Sequence, residues 1–466
     1  MNLSNLLDSE NTKNVHFIGI GGSSMSGLAE ILLSQGYNVS GSDIKSSKAT
    51  QKLESKGAQI FIGHSADNIT SPDLVVYTVA VKEENPEMQR SRELNIPVID
   101  RAELLGLIMK RHSFGIAVSG THGKTTTTSM LTTIMLEAGT DPTAHIGGEL
   151  DCIGGNTRIG NSEFFITEAC EYYGSFLKFY PFMAVILNVE VDHVDYFRDL
   201  QHIKDTFSQF ISLVPENGYV IACADDDNTM SIIKDKRCNI ITFGLKNPQS
   251  MWTAKNIEYN ELGCASFDVY KEGEKLASVS LSVPGPHNVS NALAAIAASY
   301  TCGCSMESIV SGLMKFGGSH KRFELKGLVD GIKVIDDYAH HPSEVKATLN
   351  AAANTKHNKI WCVFQPHTYT RTKAFIDQFS SSFEKADNII ITDIYAAREK
   401  DPGDIHSSTL AEKIRQRGGN AIYISDFQDI ALYLDKNAQP GDLILTMGAG
   451  DIVRCGEMFL NIRANK

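Results

Sequence analysis

What this sequence of 466 residues lacks narrows its function before any motif is read. It has no excess of positive charge: 43 Lys and Arg stand against 55 Asp and Glu, a formal net charge of −12. That argues against general binding to nucleic acid or anionic membranes and leaves room only for a local basic cleft that could hold phosphates. Long apolar runs are missing too. Stretches such as Phe182–Leu187 fall far short of the ~20 residues of a membrane span, so no membrane insertion is expected. The nine cysteines are odd in number and form no C-x-x-C pair. Cys302 and Cys304 stand too close for a zinc knuckle, so buried thiols in a reduced, cytoplasmic compartment are expected. The opening MNLSNLLDSENTKN has neither a basic n-region nor an apolar core, and no signal peptide is expected there. No fixed-period repeat appears, which excludes a solenoid.

What is present is alternation. Apolar residues make up 42% and charged residues 21%, enough for several buried cores, and the length suggests about three domains. VHFIGI (15–20), NVSGSD (38–43), AQIFIG (58–63) and LVVYTV (74–79) read as strands, with a helix over 24–36 ended by Gly36. A helix over 101–112 leads to a new strand, FGIAVSG (114–120). Further strands follow at 163–169, 183–189, 219–224 and 239–244, then a hairpin over 264–285 and an Ala-rich helix over 288–303. A third alternating region runs from KVIDDYAHHP to GDLILTMGAGD. The expected fold is α/β with three domains, at 1–112, 113–323 and 324–466. The first and last read as Rossmann-like and the middle one as a phosphate-loop, ATPase-like parallel sheet.

Two glycine loops carry the chemistry. Gly19-Ile-Gly21-Gly22-Ser-Ser-Met-Ser-Gly27 follows a strand and opens a helix, where backbone N–H groups and the helix dipole can hold a diphosphate. Asp43 ends the next strand and could accept hydrogen bonds from a ribose or a base. A tight strand–helix turn without ligand needs similar small residues. Ser24 at the third position of G-x-G-x-x-G weakens a claim for NAD, so this loop says phosphate without saying which.

The second loop is GTHGKT (120–125), between a strand and a Thr-rich helix. Its glycines are closer than in G-x-x-x-x-G-K-[ST]. Lys124 could neutralise β/γ-phosphate charge and the Thr125 hydroxyl could ligate Mg²⁺, with Thr126 adding a phosphate bond; Thr127 and Thr128 read as helix surface and packing. Glu168 ends an apolar strand where a core has no use for a carboxylate. Asp192 and His193 follow another strand to the same carboxyl edge. A lone strand-end histidine is commonly a hydrogen-bonded surface residue, and Mg²⁺ prefers oxygen ligands.

These pieces lie in a recognisable order. GIGGSSMSG, GTHGKTTT, EAC, NVEVDHVDYF, PGPHNVSNALAA, KRFE, DDYAHHPSEVKATL, FQPHTYTRTKAF, DIYAAREKDP and TMGAGDI together resemble the Mur ligase family, in its alanine-adding branch, from about residue 15 to 453. The resemblance implies a cytoplasmic, three-domain, ATP- and Mg²⁺-dependent amide ligase of peptidoglycan precursor synthesis. Its partners would be the small molecules UDP-N-acetylmuramate and L-alanine, not nucleic acid, and a monomer or weak homodimer is expected. The precursor would lie on Gly21, Gly22, Ser23, Met25, Ser26, Asp43 and His64. ATP would lie on Gly120, Thr121, His122, Gly123, Lys124, Thr125 and Thr126, with His287, Asn291, Arg322 and Asp337. Thr125, Glu168 and His193 would hold metal, and Lys124, Glu168, His193 and Arg322 would carry catalysis. Tyr338, His367 and Arg371 would stand at the amino-acid end. No general base for the incoming amine is identifiable from the sequence, and His340 or His341 is no more than a guess.

Three departures from the family pattern stand out. Ser24 and Thr368 replace a usual glycine and a common arginine, and Phe207 stands where sibling ligases carry a carbamylated lysine. Two other readings fit part of the chain. A recycling ligase that attaches a preformed murein peptide shares most of these motifs, and an NAD-binding regulatory module would use the first loop but leave the second unexplained.

Overall fold

The computed structural model describes Leu7 and residues 12–465, so most of the polar N-terminal stretch lies outside the described residues. Three sheets follow one another along the chain. The first is wholly parallel, with β1 (Asn14–Ile18), β2 (Asn38–Asp43), β3 (Gln59–Ile62), β4 (Leu74–Tyr77) and β5 (Val98–Asp100) in the order β3-β2-β1-β4-β5. Val15, Phe17 and Ile18 are fully buried in β1, as expected of a central strand covered on both faces.

The second sheet has ten strands: β6 (Phe114–Ser119), β7 (Thr143–Leu150), β8 (Gly155–Arg158), β9 (Phe164–Glu168), β10 (Met183–Ile186), β11 (Tyr219–Cys223), β12 (Asn239–Phe243), β13 (Trp252–Tyr259), β14 (Cys264–Lys271) and β15 (Glu274–Pro284). Its order is β15-β14-β13-β12-β11-β10-β6-β9-β7-β8, parallel in the middle and antiparallel at both margins. Ser119 pairs with Ile186 and Val118 with Glu168, so β6, β9 and β10 end level.

The third sheet holds β16 (Glu324–Val329), β17 (Ile332–Asp337), β18 (Ile360–Phe364), β19 (Asn388–Ile391), β20 (Ala421–Tyr423) and β21 (Leu443–Met447), in the order β16-β17-β21-β18-β19-β20. Only its edge strand β16 runs antiparallel.

One local expectation is corrected. Of the surface and packing roles expected for Thr127 and Thr128 only packing holds: both are fully buried in Lys124–Glu137, which packs against helices His287–Thr301 and Met306–Lys315. The helix tolerates this at Thr128 and beyond because those hydroxyls bond back one turn, whereas Thr127 Oγ1 is buried without a partner among the described residues. Thr128 donates to the Lys124 carbonyl (2.8 Å), Thr132 to Thr128 (2.8 Å) and Thr133 to Ser129 (2.9 Å). Among the described residues no helix is long and apolar enough to cross a membrane.

Candidate active site

Both glycine loops leave a helix start without a side-chain cap. Ser47 and Asp100 cap the helices after them, whereas Ser23–Ser34 and Lys124–Glu137 begin at Gly22 and Gly123 with no such bond. Their first N–H groups are therefore left for an anion. Gly123 is in the left-handed region (φ 86°), and a Cβ there would lie 2.6 Å from Asn291 Oδ1. Only glycine fits both demands.

In the first loop the Asp43 carboxylate accepts from Gly21 N and from Ile44 N, both at 2.8 Å. A Cβ on Gly21 would come within 2.8 Å of Asp43 Oδ2, so a larger residue there would have to shift that carboxylate. The other loop residues divide their loyalties. Met25 is buried in the N-terminal core, so only its backbone is left for a ligand. Ser26 Oγ donates to Ser23 O (3.0 Å), and Ser23 is in turn bonded by Asn156 of the central domain (2.9 and 3.0 Å). Ser24 contacts His145 Nε2 (2.7 Å) and accepts from Arg101 (3.1 Å). A Cβ on Gly27 would come within 2.1 Å of Thr157 Oγ. Ser24 and Gly27 thus serve the junction of the first two domains.

The carboxyl ends of β6, β9, β10 and β17 converge on a cavity of about 750 Å³, lined among others by Ser23, Lys124, Thr125, Glu168, Asp192, His193, Arg322, Tyr338 and His340. Thr125 Oγ donates to Glu168 Oε2 (3.1 Å), and Gly147 N donates to Glu168 Oε1 (2.6 Å). A hydroxyl and a carboxylate side by side are the hard oxygen donors that fit Mg²⁺. Lys124 folds onto its own loop, donating to Gly120 O (2.5 Å), Thr121 O (3.1 Å) and Glu171 (3.1 Å). Burial opposes the Lys124 charge, but Glu171 overrides it and holds the ammonium above the usual lysine range. Glu171 is a site residue that sequence reasoning missed. His193, at φ 49°, stacks on Tyr172 (4.3 Å) and lies 3.8 Å from Glu171.

A second cavity of about 280 Å³ adjoins it, lined by His122, Thr126, His287, Asn291, Arg322, Phe316, Asp337 and Glu344. Burial, helped by Arg322, pushes His287 down to about 4, so its ring is neutral and can bond a base edge. Asp337 is positioned by Phe323 N (2.7 Å) and Ala339 N (2.8 Å). The Arg322 guanidinium lies over the Tyr338 ring at 5.2 Å.

The C-terminal domain closes on the phosphate loop through charge. Arg371 donates twice to Asp192 Oδ1 (2.9 and 3.1 Å), with both side chains buried. Burial raises the Asp192 pKa, but Arg371 dominates and holds the carboxyl well below its usual range. Arg371 also bonds His367 (3.1 Å), and neither residue lines the two cavities. His122 lies between Glu190 (3.5 Å) and Glu344 (3.2 Å). Burial works against its charge, and the two carboxylates raise its pKa to about 9. His122, His341 and Glu190 converge with the spacing of metal ligands, yet the Ser343 hydroxyl bonds all three, at 2.8, 2.7 and 3.2 Å respectively. The group is a hydrogen-bonded closure contact. Of the two candidate bases, His340 lines the large cavity, while His341 caps helix Pro342–Ala353. Thr368 caps helix Tyr369–Ala374 through Arg371 N (3.4 Å), and Phe207 is buried edge-on to Phe176 (5.2 Å).

These features define a nucleotide-binding, three-domain α/β protein built around a phosphate loop. Three family models tile the chain: "Mur ligase family, catalytic domain" over residues 14–113, "Mur ligase middle domain" over 118–299 and "Mur ligase, glutamate ligase domain" over 321–450. The chain is 63% identical over 455 residues to a UDP-N-acetylmuramate–L-alanine ligase of Acetivibrio thermocellus, covering 98% of this chain and 97% of the relative. A ligase of the same name from Caldanaerobacter subterraneus is 55% identical, over 97% and 98%. Among solved structures, the UDP-N-acetylmuramate–alanine ligase of Thermotoga maritima superposes with a TM-score of 0.80 at 30% identity, over 97% of this chain and 100% of that one. A murein peptide ligase of Psychrobacter arcticus gives 0.71 at 27%, over 97% and 99%. The chain belongs to the Mur ligase family.

Proposed function

We infer that this chain is an ATP-dependent ligase that joins L-alanine to the lactyl carboxylate of UDP-N-acetylmuramate through an acyl phosphate, in peptidoglycan precursor synthesis. The observation that carries this reading is its full-length likeness to ligases of that name, with a phosphate loop, Glu168 and His193 around one cavity. On this reading residues 1–112 take the sugar nucleotide, 113–323 take ATP, and 324–466 close the site. The nine cysteines are free, in keeping with a reducing cytoplasm.

The first step brings a carboxylate to a triphosphate. Two unit charges about 4 Å apart interact at about 4 kcal/mol for an effective dielectric near 20, so the repulsion must be offset. Lys124 and Arg322 supply fixed positive charge, and the uncapped start of Lys124–Glu137 adds backbone N–H groups. Thr125 and Glu168, with His193, would hold Mg²⁺, which when bound neutralises phosphate charge. When phosphates arrive, Lys124 exchanges its loop carbonyls for phosphate oxygens while Glu171 keeps it charged. The lactyl oxygen attacks the γ-phosphorus and ADP leaves. The amine of L-alanine then attacks the acyl carbon, and the tetrahedral intermediate expels phosphate. Burial lowers the His340 pKa, so its ring is neutral and able to take the amine proton. Positioning and electrostatics do most of this work.

The test is an amino-acid panel assayed by phosphate release with ATP and UDP-N-acetylmuramate. L-Alanine should support turnover, and the tripeptide used by murein peptide ligases should not. Turnover with the tripeptide alone would overturn the assignment.

A further inference from the structure

Strand β17 ends between the two cavities. Successive side chains of a strand point to opposite faces, so Asp337 lines the cavity of about 280 Å³ while Asp336 and Tyr338 line the one of about 750 Å³. Asp337 is placed for the nucleotide. Asp336 takes no part in the chemistry above.

Asp336 is a carboxylate that the fold buries and does not neutralise. It is 4% exposed, its Oδ1 accepts from Thr446 Oγ1 (2.7 Å), and among the described residues no donor reaches its Oδ2. No lysine, arginine or histidine among them forms an ion pair with it; Lys326, on the neighbouring strand β16, goes to Glu324 (3.1 Å). Burial raises the Asp336 pKa to about 6 against the bond from Thr446, and Asp337 beside it adds to the rise. A buried carboxylate without a cation is costly, and packing alone would be better served by an apolar side chain. The rest of this wall does not supply the missing charge. Glu324 of β16 and Glu457 of helix Val453–Ala464 line it together with Asp336, and Lys326 is its one basic side chain.

Another wall of the same cavity carries Lys124, Thr125 and Glu168, the groups for phosphate and Mg²⁺. An acyl phosphate formed there shares one space with the acidic wall. The nucleophile that meets it is the amine of a zwitterion, and its ammonium group is the cation that the acidic wall lacks. An ammonium has three donors and no acceptor, which suits an open carboxylate oxygen.

We propose that Asp336 anchors the ammonium group of the incoming amino acid, its Oδ2 accepting a hydrogen bond from it, and that Glu324 and Glu457 add attraction from the same wall. Asp336 thus selects for a free amino group and holds it in the space where the acyl phosphate forms; the amine proton is still lost to His340. The inference rests on the ligase reading for the presence of an amine substrate.

The experiment compares two nucleophiles on the full-length chain with ATP, Mg²⁺ and UDP-N-acetylmuramate. L-Alanine arrives charged, whereas hydroxylamine is largely uncharged at neutral pH and traps an acyl phosphate as a hydroxamate. Asp336→Asn keeps the size of the side chain and an acceptor for Thr446 while removing the charge. It should raise KM for L-alanine about tenfold or more, the worth of a charge-assisted hydrogen bond, and leave hydroxamate formation and the KM values for ATP and UDP-N-acetylmuramate near wild type. Glu457→Gln, at an exposed position, should raise KM for L-alanine about twofold. An unchanged KM for L-alanine in folded Asp336→Asn, or parallel loss with both nucleophiles, would overturn the proposal; if Asp336→Asn does not fold, an unchanged KM in Glu457→Gln would do so. Wild type that releases phosphate with neither nucleophile would instead sink the ligase reading beneath it.

Discussion

The central domain meets its two neighbours in opposite ways. Toward the C-terminal domain the contacts at the site are ionic: Arg371 with Asp192, both buried, and the part-buried pair of His122 with Glu344. Toward the N-terminal domain they are neutral: Ser24 with His145, which Thr157 of the same domain bonds in turn (2.9 Å), and Asn156 with Ser23. Lys178 pairs with Asp100 and Glu103 only at a part-exposed rim. A charged interface is strong when closed, and each of its groups is costly to leave alone. A neutral one opens at small cost. The difference suits a protein in which the C-terminal domain must seat firmly over the nucleotide while the sugar nucleotide comes and goes on the other side.

Breaking the charged contact should have the largest effect. Arg371→Ala leaves Asp192 buried and unpaired, and loss of one partner of a buried pair costs about 3–5 kcal/mol. Chemical denaturation should show that loss together with weakened ligation. pH separates the two interfaces. The folded pKa of His122 is about 9 against an ordinary 6.5, so the native state holds a proton that the unfolded chain has released. Stability from this contact should therefore be full below pH 6.5 and fade as pH rises through 9. Burial depresses His145 to about 3, so below pH 6.5 the unfolded chain gains a proton that the native state refuses. That contact should weaken between pH 6.5 and 3. Melting temperatures across both ranges check the signs, and His122→Asn should flatten the alkaline limb alone. Ser24→Ala should be smallest, about 0.5–1.5 kcal/mol by denaturation, because only neutral hydrogen bonds are lost.

The parallel strands were readable from the sequence because β-branched runs such as MAVI and FGIAVS have no other use, and GTHGKT and Glu168 stood out because each sits where such a strand ends, with His193 seven residues beyond the end of another. β7 and β13 were not: TAHIGGEL and WTAKNIEY mix polar and small residues, and pairing with β9 and β14 makes them strands. Glu171 escaped notice because its meaning comes from Lys124, forty-seven positions earlier. The closure contact joins residues 122, 190 and 343, which no local pattern connects. Ser24 looked like a residue beside a diphosphate, and its side chain turns to His145 instead. Local chemistry was visible in sequence; what each group answers to across a domain boundary was not.

Two glycine loops open on uncapped helices, but only the second carries a lysine, a hydroxyl and two carboxylates. The central claim is that the second handles ATP and the first a separate nucleotide. Lys124→Ala tests it most directly, with ligation rate and UDP-N-acetylmuramate binding measured on the same folded sample. Ligation should fall by about a thousandfold or more while precursor binding stays near wild type. Equal loss of both in a folded variant would contradict the division.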